Sequence, residues 1–473
     1  MQIEILALSA LAALLWGFVM VRSSRGPLGV ASPACLYAFG LLLFYILPSM
    51  YWQVRPWDYP IPPYYEGLPL VLTGACVMSL PFVFRLPLTN KRNANGPVGP
   101  LIEAGAFGGA LWVFFIPVAL GISWSLFLLT LGHQARLERE APTIFDSEHL
   151  ALMLGNIGFY YPICYFVLVA LGNNAQRRIG YLVWGFDGLF RFFLLHRSLI
   201  LIFIFRSVVF SILLGWKIKL RHWVTMLVGI VFIVSILGNV HIFAYEEKPV
   251  QSAFLTPPAV LRALEETGFR YLGGGLKEGH GSRESNILLR VIDDVMFRFY
   301  DARSASAVMA SVPLLIPYYN GETLLHVLYA LIPRYFWPEK PDLREIHLVT
   351  TWVMPNDSGL NPTGTLAELY MNYGYTAVFL GGFLALILCR WMERAMTSPR
   401  HATLALLSAY PFFAEIFFTA NDTVSRRLSE GMRGIVVLIM ISMLFWFCGK
   451  FILRHPSWQV PSGSDKEAGS VTK

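Results

Sequence analysis

Apolar runs of roughly 17 to 25 residues, each long enough for an α-helix to cross a bilayer, alternate with short polar connections along most of this chain. The pattern predicts eleven spanning helices, which we place at residues 3–21, 33–52, 67–84, 102–131, 148–171, 179–195, 198–216, 222–243, 365–389, 402–420 and 433–452. We therefore expect an all-α polytopic membrane protein. The first run lacks a basic segment before it, so we expect it to be a retained span rather than a cleaved signal peptide.

One polar interval is much longer than the others and divides the chain. Residues 1–243 hold the first eight spans, 244–364 form a large loop, 365–453 hold the last three spans, and 454–473 are a polar tail expected to be disordered. Loops of this length are commonly functional. Residues 305–336 of the loop include two apolar pieces that are interrupted by prolines and too short to span singly. They are either interfacial or re-entrant helices, or a tight transmembrane hairpin.

Basic residues occupy every second connection, as they do where connections face the cytoplasm. The alternation predicts that the N-terminus and the large loop lie on the outer side and the C-terminus in the cytoplasm. The basic residues concerned are Arg22, Arg25, Arg85, Lys91, Arg92, Arg177, Arg178, Lys217, Lys219, Arg221, Arg390, Arg394, Arg400, Lys450 and Arg454.

Composition agrees with a membrane protein and narrows its chemistry. Only 14% of the 473 residues are charged and the mean hydropathy is +0.54, whereas about a quarter of the residues of a soluble domain are charged. Because orientation in the membrane explains the net charge of +7, we expect no nucleic-acid partner. The five cysteines lie in or beside apolar runs without a CxxC pair, so we expect neither disulfides nor a zinc site.

Two sequence blocks carry a resemblance to a known family. They are YYNGETLLHVLYALIPRYFWPEKP, residues 318–341, and NPTGTLAELYMNYGYTAVFLGGFLA, residues 361–385. They resemble the Wzy-like oligosaccharide repeat-unit polymerases, the O-antigen polymerases of bacterial envelopes, in an "IPR, aromatic, P-x-KP" string followed by "T, E-x-Y-x-N-x-G". The matching positions are Ile332, Pro333, Arg334, Trp337, Pro338, Lys340, Pro341, Thr365, Glu368, Tyr370, Asn372 and Gly374.

The resemblance implies a glycosyltransferase that acts on polyprenyl-linked substrates in the bacterial inner membrane. Its expected architecture is like that of the glycosyltransferase C class. Its donor and acceptor would be undecaprenyl-diphosphate-linked glycans, presented among membrane lipids at the periplasmic face, and it would need no cofactor and no metal. A chain-length regulator is a candidate further partner. An O-antigen ligase uses the same donor and is the nearest alternative enzyme. A polysaccharide transporter or flippase is the alternative from another class, because charged spans and bent helices also suit transport.

Arginines are the candidates for holding the diphosphate, because a guanidinium stays charged and binds phosphate through two parallel hydrogen bonds. The candidates are Arg191, Arg197, Arg206, Arg334, Arg426 and Arg427, with Lys340 beside them in the string. Each also has a structural alternative. Asp187 and Arg191 have the spacing of an ion pair on one helix, Arg197 and Arg334 could anchor at headgroups, and Arg426 and Arg427 could merely meet headgroups. Arg206 lies deep in its span and must face the bundle interior or a wet cavity.

Carboxylates and a histidine are the candidates for activating the acceptor hydroxyl. Glu368 or His347 is the predicted base, together with Arg334 as a catalytic cation. The spacing of Thr365 and Glu368 also fits a capping box. Glu368, Asn372 and Tyr375 are expected to share one polar stripe, and Tyr370 and Asn372 are candidate glycan contacts. Glu415 lies inside a span and is expected to pair with one of the arginines.

Overall fold

The structure, a computed structural model, describes residues 2–26, 28–54, 64–85, 161–193, 197–214, 299–331, 363–397, 404–419 and 422–429, with single positions elsewhere. Every regular element in these ranges is helical. The predicted spans at 102–131, 222–243 and 433–452 fall wholly or almost wholly outside the described residues, so the number of eleven remains a prediction.

Four helices in the described part of the chain are long and apolar enough to cross a membrane. They are α1 (Gln2–Ser24), α2 (Pro33–Val54), α3 (Tyr64–Arg85) and α9 (Thr365–Thr397). They coincide with the first, second, third and ninth predicted spans. This arrangement fits an α-helical, multi-pass membrane protein.

Shorter helices complete the described fold. They are α4 (Tyr161–Leu171), α5 (Asn174–Phe193), α6 (Arg197–Leu213), α7 (Ala302–Ser311), α8 (Glu322–Leu331) and α10 (Leu404–Phe418). A further helix, α11, begins at residue 424 and is described continuously to 429. Helices α4 and α10 lie within the predicted spans 148–171 and 402–420, and α5 and α6 overlap the predicted spans 179–195 and 198–216.

Helix α3 lies at the centre of the bundle, against α1, α7 and α9. Two glycine contacts allow its close packing: Gly67 faces the carbonyl of Ser306 in α7, and Gly382 of α9 faces the carbonyl of Met78. A side chain at either glycine would collide with backbone. The indole of Trp16 in α1 donates to the carbonyl of Ala75, 3.0 Å away, which ties α1 to α3.

The basic ends of α1 and α9 lie together at one end of the bundle. Gly26, just after α1, packs against the carboxylate of Glu393 near the end of α9. The clusters around Arg22 and around Arg394 therefore share a side, as the alternation of basic connections predicts.

The C-terminal half of α5 turns its charged side chains inward and its leucines outward. Asp187 and Arg191 are buried, whereas Leu182 is 72% exposed and Leu189 is 55% exposed. A water-soluble protein has the opposite distribution. Helix α5 begins with a reciprocal cap, because the side chain of Asn173 accepts from the backbone N–H of Gln176 and the side chain of Gln176 accepts from that of Asn173.

Helix α9 is not a single straight span, because it breaks at Tyr373 (φ −147°, ψ 31°) and Gly374 (φ 60°, ψ −148°). The chain folds back at this break. Leu369 packs against Gly381, although a straight helix would hold these two residues about 18 Å apart. The short arm is Thr365–Asn372 and the long arm continues from Tyr375. The predicted polar stripe is therefore wrong for Tyr375, which lies on the other arm and donates to the carbonyl of Leu70.

The large loop contributes α7 and α8, each ten residues long. At 1.5 Å per residue each covers about 15 Å, so neither can span a bilayer alone, as the sequence predicts. Helix α7 is buried against α3 and α9, and the turn after it leaves Leu314 and Leu315 largely exposed. Residues 332–336, the part of 305–336 that follows α8, lie outside the described residues.

Candidate functional site: a polar junction of three helix ends

Most of the predicted site residues are described, and several of them meet. Glu368, Glu415, Arg206, Arg426 and Arg427 gather where α9 begins, α10 ends and α11 begins. Arg197 begins α6, but its side chain lies outside the description, as do Arg334, Lys340 and His347. Of the "IPR, aromatic, P-x-KP" string, Trp337 is described, and its ring packs edge-on against Tyr329 of α8 at 5.3 Å.

We define the polar junction as Thr365, Glu368, Glu415, Asp422, Arg426 and Arg427, together with Arg206 from α6. Ends of helices carry backbone donors and acceptors that the helix itself cannot satisfy. The junction lies inside the bundle, where such groups need protein partners. Its side chains supply many of those partners.

Glu368 caps a helix other than its own. Its carboxylate accepts hydrogen bonds from the backbone N–H groups of Val424 and Ser425 and from the hydroxyl of Ser425. These N–H groups open α11, where a negative charge is favoured by the helix dipole. The side chain is 0% exposed. The capping box with Thr365 is therefore wrong, because the carboxylate points to α11 and the hydroxyl of Thr365 donates to the carbonyl of Asp422.

Arg427 caps the C-terminal end of α10. Its Nε donates to the carbonyl of Ile416 at 2.6 Å, and its Nη2 contacts the carbonyls of Ile416 and Phe417. Its Nη1 donates to the hydroxyl of Thr365 at 2.9 Å. The guanidinium thereby joins the end of α10 to the start of α9, and the buried side chain faces the ring of Tyr37.

Arg206 and Glu415 form a buried ion pair between α6 and α10, with Nε and Oε2 2.6 Å apart. The guanidinium also stacks on the ring of Phe412, at 3.7 Å from its centre. Two sequence predictions are confirmed: Arg206 faces the bundle interior, and Glu415 pairs with an arginine.

Arg426 is the exposed arginine of the junction. Its side chain is 55% exposed, and its Nε lies 3.3 Å from a carboxylate oxygen of Asp422. Burial raises the pKa of the Asp422 carboxyl above its usual range, and the charge of Arg426 opposes that effect. Asp422 therefore takes up a proton at a higher pH than an exposed aspartate, and its attraction for Arg426 weakens on acidification.

Asn372 ties the short arm of α9 to the large loop. Its side-chain oxygen accepts from the N–H of Gly321 at 2.8 Å, and its amide donates to the hydroxyl of Thr323 and the carbonyl of Glu368, both at 2.7 Å. The N–H of Tyr319 in the same turn donates to the carbonyl of Met371. All of the amide's hydrogen-bonding groups face protein, so the structure places Asn372 in the loop's attachment.

Tyr370 lies beside this attachment, in a row of three aromatic rings. Its ring meets Tyr318 at 6.4 Å and Tyr375 at 5.1 Å, both edge-on. Tyr318 lies against Gly374 at the break in α9. The row marks the point where the loop meets both arms of α9.

Arg191 lies apart from the junction, on α5. Its Nε is 3.0 Å from Asp187 of the same helix, and Asp187 also accepts from the hydroxyl of Tyr165. The structure therefore bears out the ion-pair alternative for this arginine.

Sequence reasoning missed Asp422, Ser425 and Thr323. Asp422 and Thr423 directly precede α11, which is a recognisable helix-start signal. Ser425 and Thr323 carry no local signal, since their partners Glu368 and Asn372 are far away in sequence. Within the described ranges, no three side chains able to ligate a metal come together.

Comparisons with protein families, with curated proteins and with solved structures found no match for this chain.

Proposed function

We propose that this protein is a membrane glycosyltransferase that polymerises oligosaccharide repeat units carried on undecaprenyl diphosphate, at the periplasmic face of the bacterial inner membrane. The observation that carries the proposal is the polar junction, which collects charged and hydroxyl side chains where three helices end inside an apolar bundle. The second of the two sequence blocks that resemble the polymerase family supplies Thr365 and Glu368 to this junction, and the first block contacts the second through Gly321 and Asn372.

Phosphate recognition is supported by the cations of these segments. Arg426 is exposed at the junction, and Arg334 and Lys340 lie in the loop that the turn at Gly321 and α8 introduce. Fixed cations near a leaving diphosphate stabilise the negative charge that develops on it. Arg206 pairs with Glu415, and Arg427 donates to backbone carbonyls. In this proposal these two arginines therefore shape the site, and Arg426, Arg334 and Lys340 bind the diphosphate.

In the proposed reaction, a sugar hydroxyl of the acceptor attacks the anomeric carbon of the donor glycan. A new glycosidic C–O bond forms as the bond between that carbon and the diphosphate oxygen breaks. Undecaprenyl diphosphate leaves with the bonding electron pair, and a protein base takes the hydroxyl proton. No metal or nucleotide is required for this transfer.

The base is assigned to His347 rather than Glu368. Both oxygens of the Glu368 carboxylate already accept hydrogen bonds from α11, and the side chain is fully buried. An acceptor hydroxyl would have to displace those bonds to come within reach. His347 belongs to the loop and carries an imidazole, the side chain that most often serves as a general base.

Deleting the gene and examining the surface polysaccharide tests the proposal. We expect surface lipids capped with a single repeat unit, because transfer onto the core would continue without polymerisation. Core without any repeat would instead identify a ligase, and loss of all exported repeat units would identify a flippase.

One observation favours a transporter as the second candidate. Helix α9 is broken at Tyr373 and Gly374, and discontinuous helices form substrate sites in secondary transporters. Transport of the lipid-linked repeat unit would be the activity in that case. The third outcome of the deletion experiment distinguishes it from the polymerase.

A further inference from the structure

We infer that the short arm of α9, Thr365–Asn372, is a positioning element: Glu368 fixes the start of α11 and with it Arg426, and Asn372 fixes the turn at Gly321 from which α8 begins. The inference rests on the proposed function for what is positioned, and on the described geometry for how.

The short arm is suited to positioning other segments because it packs against the long arm of α9 on one side and against α3 on the other. Leu369 packs into the space beside Gly381 on the long arm, and Leu366 faces Gly74 of α3. The backbone N–H of Glu368 donates to the carbonyl of Gly364, so the arm's first turn is a normal helical turn. The buried arm therefore presents Glu368 and Asn372 from a fixed backbone.

At one end of the arm, Glu368 determines where α11 starts. Val424 and Ser425 supply the first N–H groups of α11, and both bond to the same carboxylate. Arg426 is the next residue after Ser425, and Asp422, which pairs with Arg426, lies just before the first turn of α11. Moving the start of α11 would therefore move the exposed guanidinium.

At the other end of the arm, Asn372 determines where the loop leaves the bundle. It bonds to Gly321 and Thr323, which flank the first residue of α8. The hydroxyl of Tyr373, at the break, donates to the carbonyl of Asn320 in the same turn. Helix α8 and then the segment with Arg334 and Lys340 follow from that turn.

A positioning role and a proton-transfer role for Glu368 predict different activities for the Glu368→Gln variant. The amide of Glu368→Gln keeps an oxygen that can accept from the N–H groups of α11, whereas it cannot take a proton from an acceptor hydroxyl. Removing a general base usually slows a reaction by about 10² or more. The glutamine variant therefore separates the two roles.

The experiment expresses full-length variants in the deletion strain, compares polymer length at matched membrane abundance, and measures the melting of each purified protein in detergent. We expect Glu368→Gln to stay within about threefold of the wild type, since it retains a hydrogen-bond acceptor. Glu368→Ala and Asn372→Ala should each reduce chain extension about tenfold or more, because the first displaces Arg426 and the second displaces the start of α8. Thr323→Ala should fall between, because the bond from Asn372 to Gly321 remains.

Two matched controls share the chemical change but not the position. Glu322→Gln makes the same substitution at an exposed glutamate of α8, and Thr376→Ala removes a hydroxyl from an exposed position of the long arm. Both should extend polymer and melt as the wild type does.

Two results would overturn the inference. If Glu368→Gln melts normally but is as inactive as Glu368→Ala, the carboxylate acts chemically and not as a cap. If Glu368→Ala and Asn372→Ala both extend polymer normally, the arm positions nothing. Failure of the proposed function is a separate result, because the deletion strain would then keep full-length polysaccharide. In that case the melting measurements still test the arm: unchanged melting of Glu368→Ala and Asn372→Ala would overturn its structural role.

Discussion

At the scale of the residue, buried charges in this protein are engaged by groups that sequence spacing reveals only in part. The Asp187–Arg191 pair follows from its four-residue spacing on one helix. The need for Glu415 to find an arginine also follows from its place in an apolar run, but the identity of Arg206 does not, because pairing across helices depends on how α6 and α10 pack. The cap that Glu368 provides to α11 has no local signal for the same reason.

The Arg206–Glu415 pair gives the first prediction. Arg206→Gln or Glu415→Gln alone should lower the free energy of unfolding by about 3–5 kcal/mol, because each leaves a buried charge without its partner. The double glutamine variant should recover much of that loss, because neither charge remains. Thermal melting of the four purified proteins forms the cycle that measures the coupling. Strictly additive losses would show that the two side chains do not interact.

Arg334 gives the second prediction, on the proposed function. Arg334→Lys keeps the charge but loses the planar fork, so we expect chain extension to fall by about 10²-fold, the scale seen when one fixed donor to a transition state is removed. Membrane abundance should stay normal. Arg178→Lys, the same change at an exposed residue of α5, is the control. Polymer of wild-type length from an Arg334→Ala strain would rule out the role.

At the scale of the element, the apolar pattern locates helices well and their breaks poorly. The starts of α1, α2 and α9 agree with the predicted spans within a residue. The reversal at Tyr373–Gly374 was not predicted, because Glu368, Asn372 and Tyr375 have the spacing of one stripe on a continuous helix. The sequence does contain a glycine between two tyrosines at this point. That glycine indicates a break only once its backbone is known to have a positive φ.

Gly374 gives the third prediction. Its backbone (φ 60°, ψ −148°) lies in a region that is essentially restricted to glycine, and a Cβ there would stand 3.3 Å from the hydroxyl of Tyr318. Gly374→Ala should therefore cost about 1–3 kcal/mol of unfolding free energy. Gly185→Ala is the matched control, since a Cβ there meets nothing within 4 Å, and it should be neutral or slightly stabilising. Equal melting of the two variants would contradict the strained turn.

At the scale of the whole molecule, the class of fold is readable from composition and run length, because a bilayer imposes both. The register of the large loop on the bundle is not readable, since it depends on hydrogen bonds such as that from Gly321 to Asn372. The side on which each connection lies is predicted from charge, and the contact of Gly26 with Glu393 agrees with that prediction for two of the basic clusters.

Topology gives the fourth prediction. A reporter fused after Glu246 or Gly359 should read periplasmic, and one fused after Arg178 or Arg394 should read cytoplasmic, because the basic connections are retained inside. Paired alkaline phosphatase and fluorescent-protein fusions measure the two locations. A cytoplasmic reading at Gly359 would invert the large loop and remove the basis of the proposed site.

The inward charges of α5 have a consequence for how the protein is made. An aspartate or an arginine at the centre of an isolated helix costs about 2.5–3.5 kcal/mol to transfer from the translocon into lipid. Asp187 and Arg191 offset that cost through each other and through the hydroxyl of Tyr165 on α4. With α5 in the span that the sequence predicts at 179–195, we expect it to wait beside the translocon until α4 can accompany it, so that the two helices enter the bilayer together during synthesis.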